Sequence, residues 1–256
     1  KYLAQQPGGL TDTEFEMNPY QAKRLRNWFD VDWNLYALFW NKRFSNQRRL
    51  SVRFFTLDAS RKSVGDLSRP NRPDANRERD LIIGEFNNWG IESRFLRHYT
   101  FIAQPSTFLV GVRAYRGFNW SRQGFAKGGD DADFNLINPE STGVSDYQHP
   151  GYNAALFAEN IFRLPYQISI IPGIRLEAIE TNANGFYKNR LISGGRLIFE
   201  DTVSVSRSYF RQFPLLGLGL SKKIKQVEIL ANITQNYRSI NLSDMSISNP
   251  NLRVDS

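Results

Sequence analysis

The 256-residue chain contains no cysteine and only two histidines, His98 and His149. Without cysteine, it can form neither a disulfide framework nor a metal site with thiolate ligands. Two histidines are too few for a histidine-based metal centre, and they give no sign of a catalytic triad. Neither observation points to a metal centre or to nucleophilic catalysis.

Long hydrophobic runs are also missing, because no apolar stretch approaches the roughly 20 residues that a membrane-spanning helix needs. That excludes a helical membrane protein. It does not exclude a transmembrane β-barrel, whose strands alternate between apolar and polar residues and give a weak hydropathy signal. Aromatic residues are abundant instead, with 19 Phe, 11 Tyr and 5 Trp. This enrichment is typical of the aromatic girdles of a barrel, although large β-sandwich cores also use aromatic residues.

The chain is basic, with a formal net charge of +8. Such a balance is compatible with nucleic acid, anionic lipid or an anionic ligand as the partner. The arginines are spread over predicted loops and strand faces and do not cluster on one helix or stripe. We therefore do not predict nucleic acid as a partner.

Short polar turns and long loops alternate between the candidate strands. The short turns are predicted at 45–48, 104–106, 164–166 and 222–226. The long connections are predicted at about 58–85, at about 119–152 and after Glu180, with a hairpin inside the last of these at 193–211. A soluble sandwich has no reason to place every long loop at one end, whereas an outer-membrane barrel has short periplasmic turns and long extracellular loops. The sequence therefore predicts an all-β fold, a segment of an antiparallel transmembrane β-barrel with about eight to ten strands.

Alternation with a period of two residues predicts two different faces for each strand. The clearest strand runs from about Phe29 to Phe44, which is longer than the five or six residues usual in globular sheets. One face of this strand contains Phe29, Val31, Trp33, Leu35, Ala37 and Phe39. In the strand that follows, the residues predicted to face lipid are Leu50, Val52 and Phe54.

The opposite face of the predicted strands carries charged residues among small or polar ones. The residues predicted to point inward are Arg53, Arg94, Arg113, Arg175 and Glu177. In a soluble β-sandwich the same face would be ordinary solvated surface. The length of the strands and the asymmetry of the loops favour the barrel, in which this face lines the lumen.

Several stretches resemble the barrel of TonB-dependent outer-membrane receptors. Residues 6–12, 26–29 and 32–34 resemble the branch associated with ferric citrate uptake. Residues 155–160 and 171–177 resemble a central barrel hairpin of the family. Residues 231–238 and 249–252 resemble the strand and loop that enter the last third of the barrel. These stretches are distributed from end to end, so the resemblance covers essentially the whole chain.

The resemblance implies a function and an incomplete barrel. Such receptors have a barrel of about 22 strands that is plugged by an N-terminal domain, and they import ferric siderophore complexes across the bacterial outer membrane. Residues 1–256 would then be the middle portion of the barrel domain, with the plug domain and the C-terminal strands not in this chain. The implied partners are a ferric chelate, the TonB complex through the plug domain, and outer-membrane lipid and lipopolysaccharide. The resemblance also implies recognition without bond-making, so that the protein is not an enzyme and has no cofactor of its own. Iron would be present only as part of the chelate.

The same resemblance makes arginine the natural ligand-binding residue, because ferric citrate and many siderophore complexes are anionic. A guanidinium group can hold a carboxylate through two charge-assisted hydrogen bonds. The candidates in the lumen are Arg53, Arg94, Arg113 and Arg175. The candidates at the mouths of the loops are Arg24, Arg26, Arg116, Arg122 and Arg238, together with Trp120 at the start of a loop.

Each candidate also has a structural interpretation. Lumen arginines can pair with carboxylates of a plug or of the barrel wall, and Arg175 with Glu177 fits such an ion pair. Loop arginines can contact lipopolysaccharide phosphates or water. Two other functions stay open at this point: an extracellular binding or adhesion module whose long loops grip protein or glycan, and an outer-membrane enzyme or passive channel.

Overall fold

The computed structural model describes residues 1–4, 10–67, 74, 76–193 and 196–237. In this part of the chain, nine antiparallel strands form a single open sheet in which each strand pairs with its neighbours in sequence. The strands are Tyr2–Leu3 (β1), Trp28–Ser45 (β2), Arg48–Gly65 (β3), Arg79–Phe101 (β4), Gln104–Ala126 (β5), Ser145–Leu164 (β6), Ile168–Ser193 (β7), Arg196–Ile224 (β8) and Val227–Thr234 (β9). The predicted all-β, antiparallel architecture is confirmed.

Two short helical elements accompany the sheet. The helix α1 spans Asp12–Met17 and begins with a capping box between Thr11 and Glu14, in which each residue's side chain bonds the other's backbone. A single 3₁₀ turn at Pro165–Gln167 joins β6 to β7. Among the described residues, no helix has the length and apolar character needed to cross a membrane. The helix α1 was not predicted from the sequence.

The strands are much longer than those of globular sheets. β4 and β5 have 23 residues each, β7 has 26 and β8 has 29. A tilted strand crosses a bilayer in about 9–11 residues, so these strands have enough length to cross it and to continue well beyond it. The continuation lies at the end of the sheet that carries the long loops, because the other end is closed by tight turns.

The long connections are shorter than predicted, because the strands continue into them. The predicted loop at 58–85 is reduced to 66–78, since β3 ends at Gly65 and β4 begins at Arg79. The connection between β5 and β6 is shortened in the same way. In these extensions polar side chains lie on both faces, so the period-two pattern fades although the backbone ladder continues.

The long loop predicted after Glu180 is wrong. β7 and β8 stay paired from Ile168 opposite Lys222 up to Ser193 opposite Arg196, so this region is one long hairpin. The sequence predicted a hairpin only within residues 193–211 of this loop, from the strand-like runs 197–199 and 203–205. The pairing instead extends over the whole of β7 and β8.

The short turns lie at one end of the sheet, and the predictions at 45–48, 164–166 and 222–226 are confirmed. The prediction at 104–106 is wrong by two residues, because the turn consists of Ile102 and Ala103. Both have positive φ, 48° and 57°, the backbone geometry of a two-residue hairpin turn whose twist matches that of the strands. Pro105 suggested the turn but lies just inside β5, where a missing backbone donor is tolerated.

The register gives the sheet an outer and an inner face, since directly opposite residues of antiparallel strands point to the same side. On the outer face, one row of opposing residues crosses six strands and is apolar throughout: Leu50, Phe95, Val110, Ala158, Ile174 and Leu216. The predicted lipid-facing residues Leu50, Val52 and Phe54 all lie on this face. Rows of exposed apolar side chains in a sheet suit contact with lipid rather than with water.

The apolar residues of β2 that alternate from Phe29 to Phe39 do not belong to this outer face. Phe39 lies opposite Arg53, so Phe39 and the residues in phase with it share the inner face with the predicted inward arginine. The outer face of β2 instead presents Leu38, opposite Phe54, and Trp40, opposite Val52. β2 is therefore apolar on both faces over its middle, and alternation alone cannot tell which face is turned to lipid.

A small buried core lies at the long-loop end of the sheet. It contains the strand residues Val64, Leu81, Ile83 and Ala126 and the loop residue Phe134. The register places the strand residues on the outer face, so the loop between β5 and β6 folds back over that face. Burial of each large apolar side chain contributes roughly 1.5–3 kcal/mol to stability. This core therefore holds the loop against the long-loop end of the sheet.

Candidate anion-binding site

Four of the predicted ligand-binding arginines come together on the inner face, across strands β3 to β7. We call this cluster the arginine belt; its members are Arg53, Glu92, Arg94, Arg113, Arg175 and Glu177. They occupy two adjacent rows of the register. One row contains Arg53, Glu92, Arg113, Ala155 and Glu177, and the next contains Ser51, Arg94, Gly111, Phe157 and Arg175.

Glu92 is the carboxylate around which three arginines gather. Its side chain is only 6% exposed, and its Oε1 lies 2.7 Å from Nη2 of Arg94 and 3.8 Å from Nη2 of Arg53. The other oxygen lies 4.0 Å from Nη1 of Arg113. One buried carboxylate therefore holds three guanidinium groups close together, which would repel one another without it.

Glu177 organises the far side of the belt. It forms an ion pair with Nε of Arg175, and its Oε2 accepts a hydrogen bond of 2.5 Å from Nδ2 of Asn153. This contact agrees with the ion pair that the spacing of Arg175 and Glu177 suggested. Arg175 keeps 30% of its side chain exposed, so the pair leaves part of its guanidinium open to the inner face.

Aromatic rings lie between the arginines of the belt. The guanidinium carbons of Arg53 and Arg113 lie 5.3 and 5.6 Å from the centre of the Phe55 ring. Those of Arg94 and Arg175 lie 5.9 and 5.3 Å from the centre of the Phe157 ring. Contacts of this kind hold a cation in place without neutralising its charge.

Two glycines make room for these rings. A Cβ atom added to Gly111 would lie 2.4 Å from the Phe157 ring, and one added to Gly90 would lie 2.4 Å from the Phe55 ring. Any larger residue at either position has to displace the aromatic side chain. Gly90 and Gly111 therefore allow each ring to lie across the neighbouring strand, where it reaches the arginines.

The belt has an excess of positive charge. Within the belt, four guanidinium groups face two carboxylates, an excess of two positive charges. The next inward row adds one carboxylate, Glu159, opposite Gly173. Arg94 keeps 53% of its side chain exposed. Several partly exposed guanidinium groups in one patch are well suited to bind a ligand that carries more than one carboxylate or phosphate group.

The predicted loop-mouth residues Arg24 and Arg26 lie in a different cluster, at the long-loop end of the sheet. Both side chains are almost fully buried. Arg26 binds both oxygens of Asp74, at 2.9 and 2.5 Å, and also donates to the carbonyls of Arg77 and Gly129. Arg24 lies 3.8 Å from a carboxylate oxygen of Asp66. These contacts join the segment before β2 to the loops around it.

Arg79, at the start of β4, completes this buried cluster. Its side chain is fully buried and donates to the carbonyls of Lys127 and Asp131, at 2.9 and 2.5 Å, and to the Asp131 carboxylate at 2.9 Å. We call the group Arg26, Asp74, Arg79 and Asp131 the loop latch. Because Arg26 donates two hydrogen bonds to the Asp74 carboxylate, the pKa of Asp74 is lowered and that of Arg26 is raised.

The remaining predicted candidates do not join the belt. Arg116, Trp120 and Arg122 lie within β5, not in a loop, and the register puts them on the outer face. Arg122 stacks 4.0 Å from the Trp120 ring and binds Glu85 at 2.9 Å, while Trp120 donates to Asp146 at 2.7 Å. They lie on the side of the sheet away from the belt. Arg238 lies outside the described residues.

Sequence analysis missed Glu92 and the three aromatic residues beside the arginines: Phe55, Phe157 and Tyr115, whose ring centre lies 6.0 Å from the guanidinium carbon of Arg113. A local signal for three of them exists, because Glu92-x-Arg94, Arg53-x-Phe55 and Arg113-x-Tyr115 repeat the same two-residue spacing on three consecutive strands. That spacing places both members of each pair on one face of a strand. The position of Phe157 depends on the register between β5 and β6 and has no local signal.

Comparison with known proteins gives a likeness of fold. No protein-family model matches the chain, and no curated protein matches it in sequence. Among solved structures, the chain is similar to the ferric citrate transporter FecA in its unliganded form, with a TM-score of 0.74 and 16% sequence identity. The superposition covers 94% of this chain and 32% of the FecA chain. The chain therefore has the fold of about a third of the FecA structure, and at this identity the likeness concerns the fold alone.

Proposed function

We propose that this chain is part of an outer-membrane β-barrel that imports an anionic ferric chelate, such as ferric citrate or another siderophore complex, in a TonB-dependent manner. The observation that carries the proposal is the arginine belt on the inner face of a sheet whose outer face is apolar. A sheet with these two faces fits a barrel wall in which lipid lies on one side and an anion pathway on the other.

The dimensions of the apolar rows support a location in a bilayer. In β7 the outward residues run from Ile170 to Ala178, about nine residues that are all apolar on that face. This matches the length of a tilted strand that crosses a hydrocarbon core. Beyond Ala178 the next outward positions of β7 are polar, namely Glu180, Asn182 and Asn184. The chain would therefore lie in the bacterial outer membrane with its long loops outside.

The belt supports a ligand with several carboxylates. A single carboxylate in water gains little from one exposed guanidinium, but several fixed donors on one surface bind a multidentate anion together. The Phe55 and Phe157 rings hold the guanidinium groups in place before the ligand arrives, which lowers the cost of ordering them on binding. Ferric citrate presents such a set of carboxylates around one iron ion.

The proposal also includes the energy source of import, which would be supplied by the TonB complex. The region of FecA that resembles this chain is 32% of that chain, and TonB would act through a plug domain outside residues 1–256. The proposed partners are the ferric chelate, the TonB complex, and outer-membrane lipid with lipopolysaccharide; the proposal includes no nucleic acid and no catalysis.

The test is a tryptophan-fluorescence titration of the protein in detergent with ferric citrate, metal-free citrate and an uncharged ferric hydroxamate. We expect saturable quenching by ferric citrate and at least about tenfold weaker binding in Arg113→Gln, which removes one guanidinium from the belt. Arg43→Gln is the matched control, because Arg43 faces inward at the short-turn end, away from the belt. Equal affinity of all three proteins for ferric citrate would contradict the assignment of the belt. Conductance for small anions without chelate binding would indicate a passive channel instead.

A further inference from the structure

A second group of cations lies on the outer face, next to the short turns. Lys42 of β2, Arg48 of β3 and Arg97 of β4 occupy three neighbouring strands, and we call them the cationic patch. Arg48 lies directly opposite Arg97, and Lys42 lies opposite Leu50, two residues along β3 from Arg48. All three side chains are exposed.

The cationic patch has no carboxylate partner within the described part of the chain. None of its three side chains takes part in an ion pair there. Directly opposed like charges such as Arg48 and Arg97 destabilise a sheet unless an anion lies between them. Arg43 and Arg49 oppose each other in the same way on the inner face, so the repulsion indicates an anionic partner, and the surface beside each pair decides which kind of anion fits.

Charge is distributed unevenly along the outer face. The outward carboxylates of the described strands all lie in the half near the long loops: Asp30, Asp32, Asp58, Glu85, Asp146, Glu180 and Glu200. The half near the short turns presents outward Lys42, Arg48, Arg97 and Lys222 and, among described residues, no outward carboxylate. The half near the short turns therefore presents unbalanced positive charge, whereas the outward carboxylates of the other half lie among outward cations such as Lys62, Arg122 and Arg190.

An apolar surface begins directly beside the cationic patch. Leu50 and Phe95 face each other in the row next to Arg48 and Arg97, and Trp40 and Val52 lie opposite each other one row further on. A molecule that placed an anionic group on the patch would lay any attached hydrocarbon along these side chains. A soluble anion would use only the cations, whereas a lipid would use both surfaces.

We propose that the cationic patch binds the headgroup phosphate of an anionic glycerophospholipid in the membrane leaflet at the short-turn end. The acyl chains lie along Leu50, Val52, Trp40 and Phe95, and the phosphate accepts hydrogen bonds from Arg48 and Arg97, with Lys42 beside it. The inference rests on the proposed function in one respect, that the outer face contacts a bilayer. It does not depend on which chelate is transported.

The experiment is native mass spectrometry of the detergent-purified protein with equimolar phosphatidylglycerol and phosphatidylcholine of identical acyl chains. We expect the wild-type protein to retain phosphatidylglycerol preferentially. In Lys42→Gln/Arg48→Gln/Arg97→Gln the preference falls by roughly tenfold or more, since each cation near an anionic headgroup contributes several-fold to binding. The matched control is Arg43→Gln/Arg49→Gln/Lys223→Gln, which removes the same charge at the same end from the inner face. We expect this control to stay within about twofold of wild type.

A separate measurement distinguishes failure of this inference from failure of the membrane location. Brominated phosphatidylcholine in reconstituted vesicles quenches tryptophans that face lipid, and Trp40 lies on the outer face. Quenching without any preference for phosphatidylglycerol, or an equal loss of preference in both triple variants, would overturn the lipid site and leave the barrel in place. Absence of quenching would overturn the membrane location itself, and the lipid site with it.

Discussion

In the loop latch, Arg79 is fully buried and donates to three oxygen atoms of Lys127 and Asp131. In the arginine belt, Arg94 leaves about half of its side chain exposed and contacts one carboxylate, that of Glu92. The first arrangement saturates the guanidinium with groups of the protein and leaves nothing for a ligand. The second fixes the position of the guanidinium but keeps donors available. The same residue type thus stabilises a loop at one site and offers charge at the other, according to its burial.

The largest effect is expected when Arg79 is replaced in the latch. Arg79→Leu leaves the carbonyls of Lys127 and Asp131 without their donor in a buried position, and we expect a local destabilisation of about 3 kcal/mol. Hydrogen–deuterium exchange of residues 127–136 measures it. Arg94→Leu, in the belt, should change exchange in its own strand by less than about 1 kcal/mol. An equal effect of both substitutions would remove the distinction between the two clusters.

The latch also predicts a pH dependence. The pKa of Asp74 is lowered because Arg26 donates two hydrogen bonds to its carboxylate. A lowered pKa means that the stabilisation is complete above the ordinary carboxyl value of about 3.9 and is lost as the pH falls through the lower value in the folded protein. Asp74→Asn should cost about 2 kcal/mol at pH 7.

Hydrogen exchange around residue 77 is followed from pH 7 down to pH 2, with correction for intrinsic rates. It gives the loss of stability in Asp74→Asn at pH 7 and the pH range in which that loss disappears. The difference in stability between wild type and Asp74→Asn should be constant above about pH 5 and should shrink only in the acid range. A difference that disappeared near neutral pH would contradict the assignment of Asp74 as the ionised partner of Arg26.

A smaller effect is expected when Gly111 is replaced beside the belt. Gly111→Ala puts a methyl group where the Phe157 ring lies, and the displaced ring no longer packs beside Arg94 and Arg175. We expect a loss of about 1–2 kcal/mol in stability and several-fold weaker binding of ferric citrate. Gly151→Ala is the control, since a Cβ atom there would meet only the backbone carbonyl oxygen of Glu180, at 3.4 Å. If Gly111→Ala bound ferric citrate as the control does, Phe157 would have no role in the belt.

The smallest effect has the opposite sign. Glu92→Gln removes one of two carboxylates from the belt and leaves its four guanidinium groups in place. The repulsion among them should lower stability, and a bound anion should relieve that repulsion. We therefore expect ferric citrate to bind roughly fivefold more tightly, about 1 kcal/mol, in the same fluorescence titration. Weaker binding would contradict this expectation. It would mean either that a cation between Glu92 and the ligand contributes to binding, or that the arginines lose their positions without the Glu92 carboxylate.

Only part of the difference between the two clusters can be predicted from the sequence. The strands, the tight turns and the inward position of Arg53, Arg94, Arg113 and Arg175 follow from alternation, because a period of two fixes the face of a strand residue. The sequence places Arg94 in the lumen and Arg26 at the mouth of a loop, but it does not tell which of the two guanidinium groups is buried. Their difference arises from loops that fold over one of them and not over the other.

Two further errors have the same origin in tertiary structure. Trp120 and Arg122 were expected at a loop, but β5 continues through them and turns them to the outer face. Phe39 alternates like a lipid-facing residue, yet its position opposite Arg53 places it on the inner face. In both cases the pairing with a neighbouring strand decides the outcome, and pairing is not contained in the local pattern.

The most direct test of the account uses the absence of cysteine, which allows single cysteines to be introduced without background. Nitroxide labels at positions 216, 217 and 218 of β8 would report whether each side faces lipid or water. Leu216 and Leu218 lie on the outer face, and Gly217 lies on the inner face beside the belt. In reconstituted vesicles we expect the labels at 216 and 218 to collide with oxygen dissolved in lipid and the label at 217 to collide with a water-soluble nickel chelate. Equal access of the nickel chelate to all three labels would contradict a sheet with lipid on one face and an anion pathway on the other.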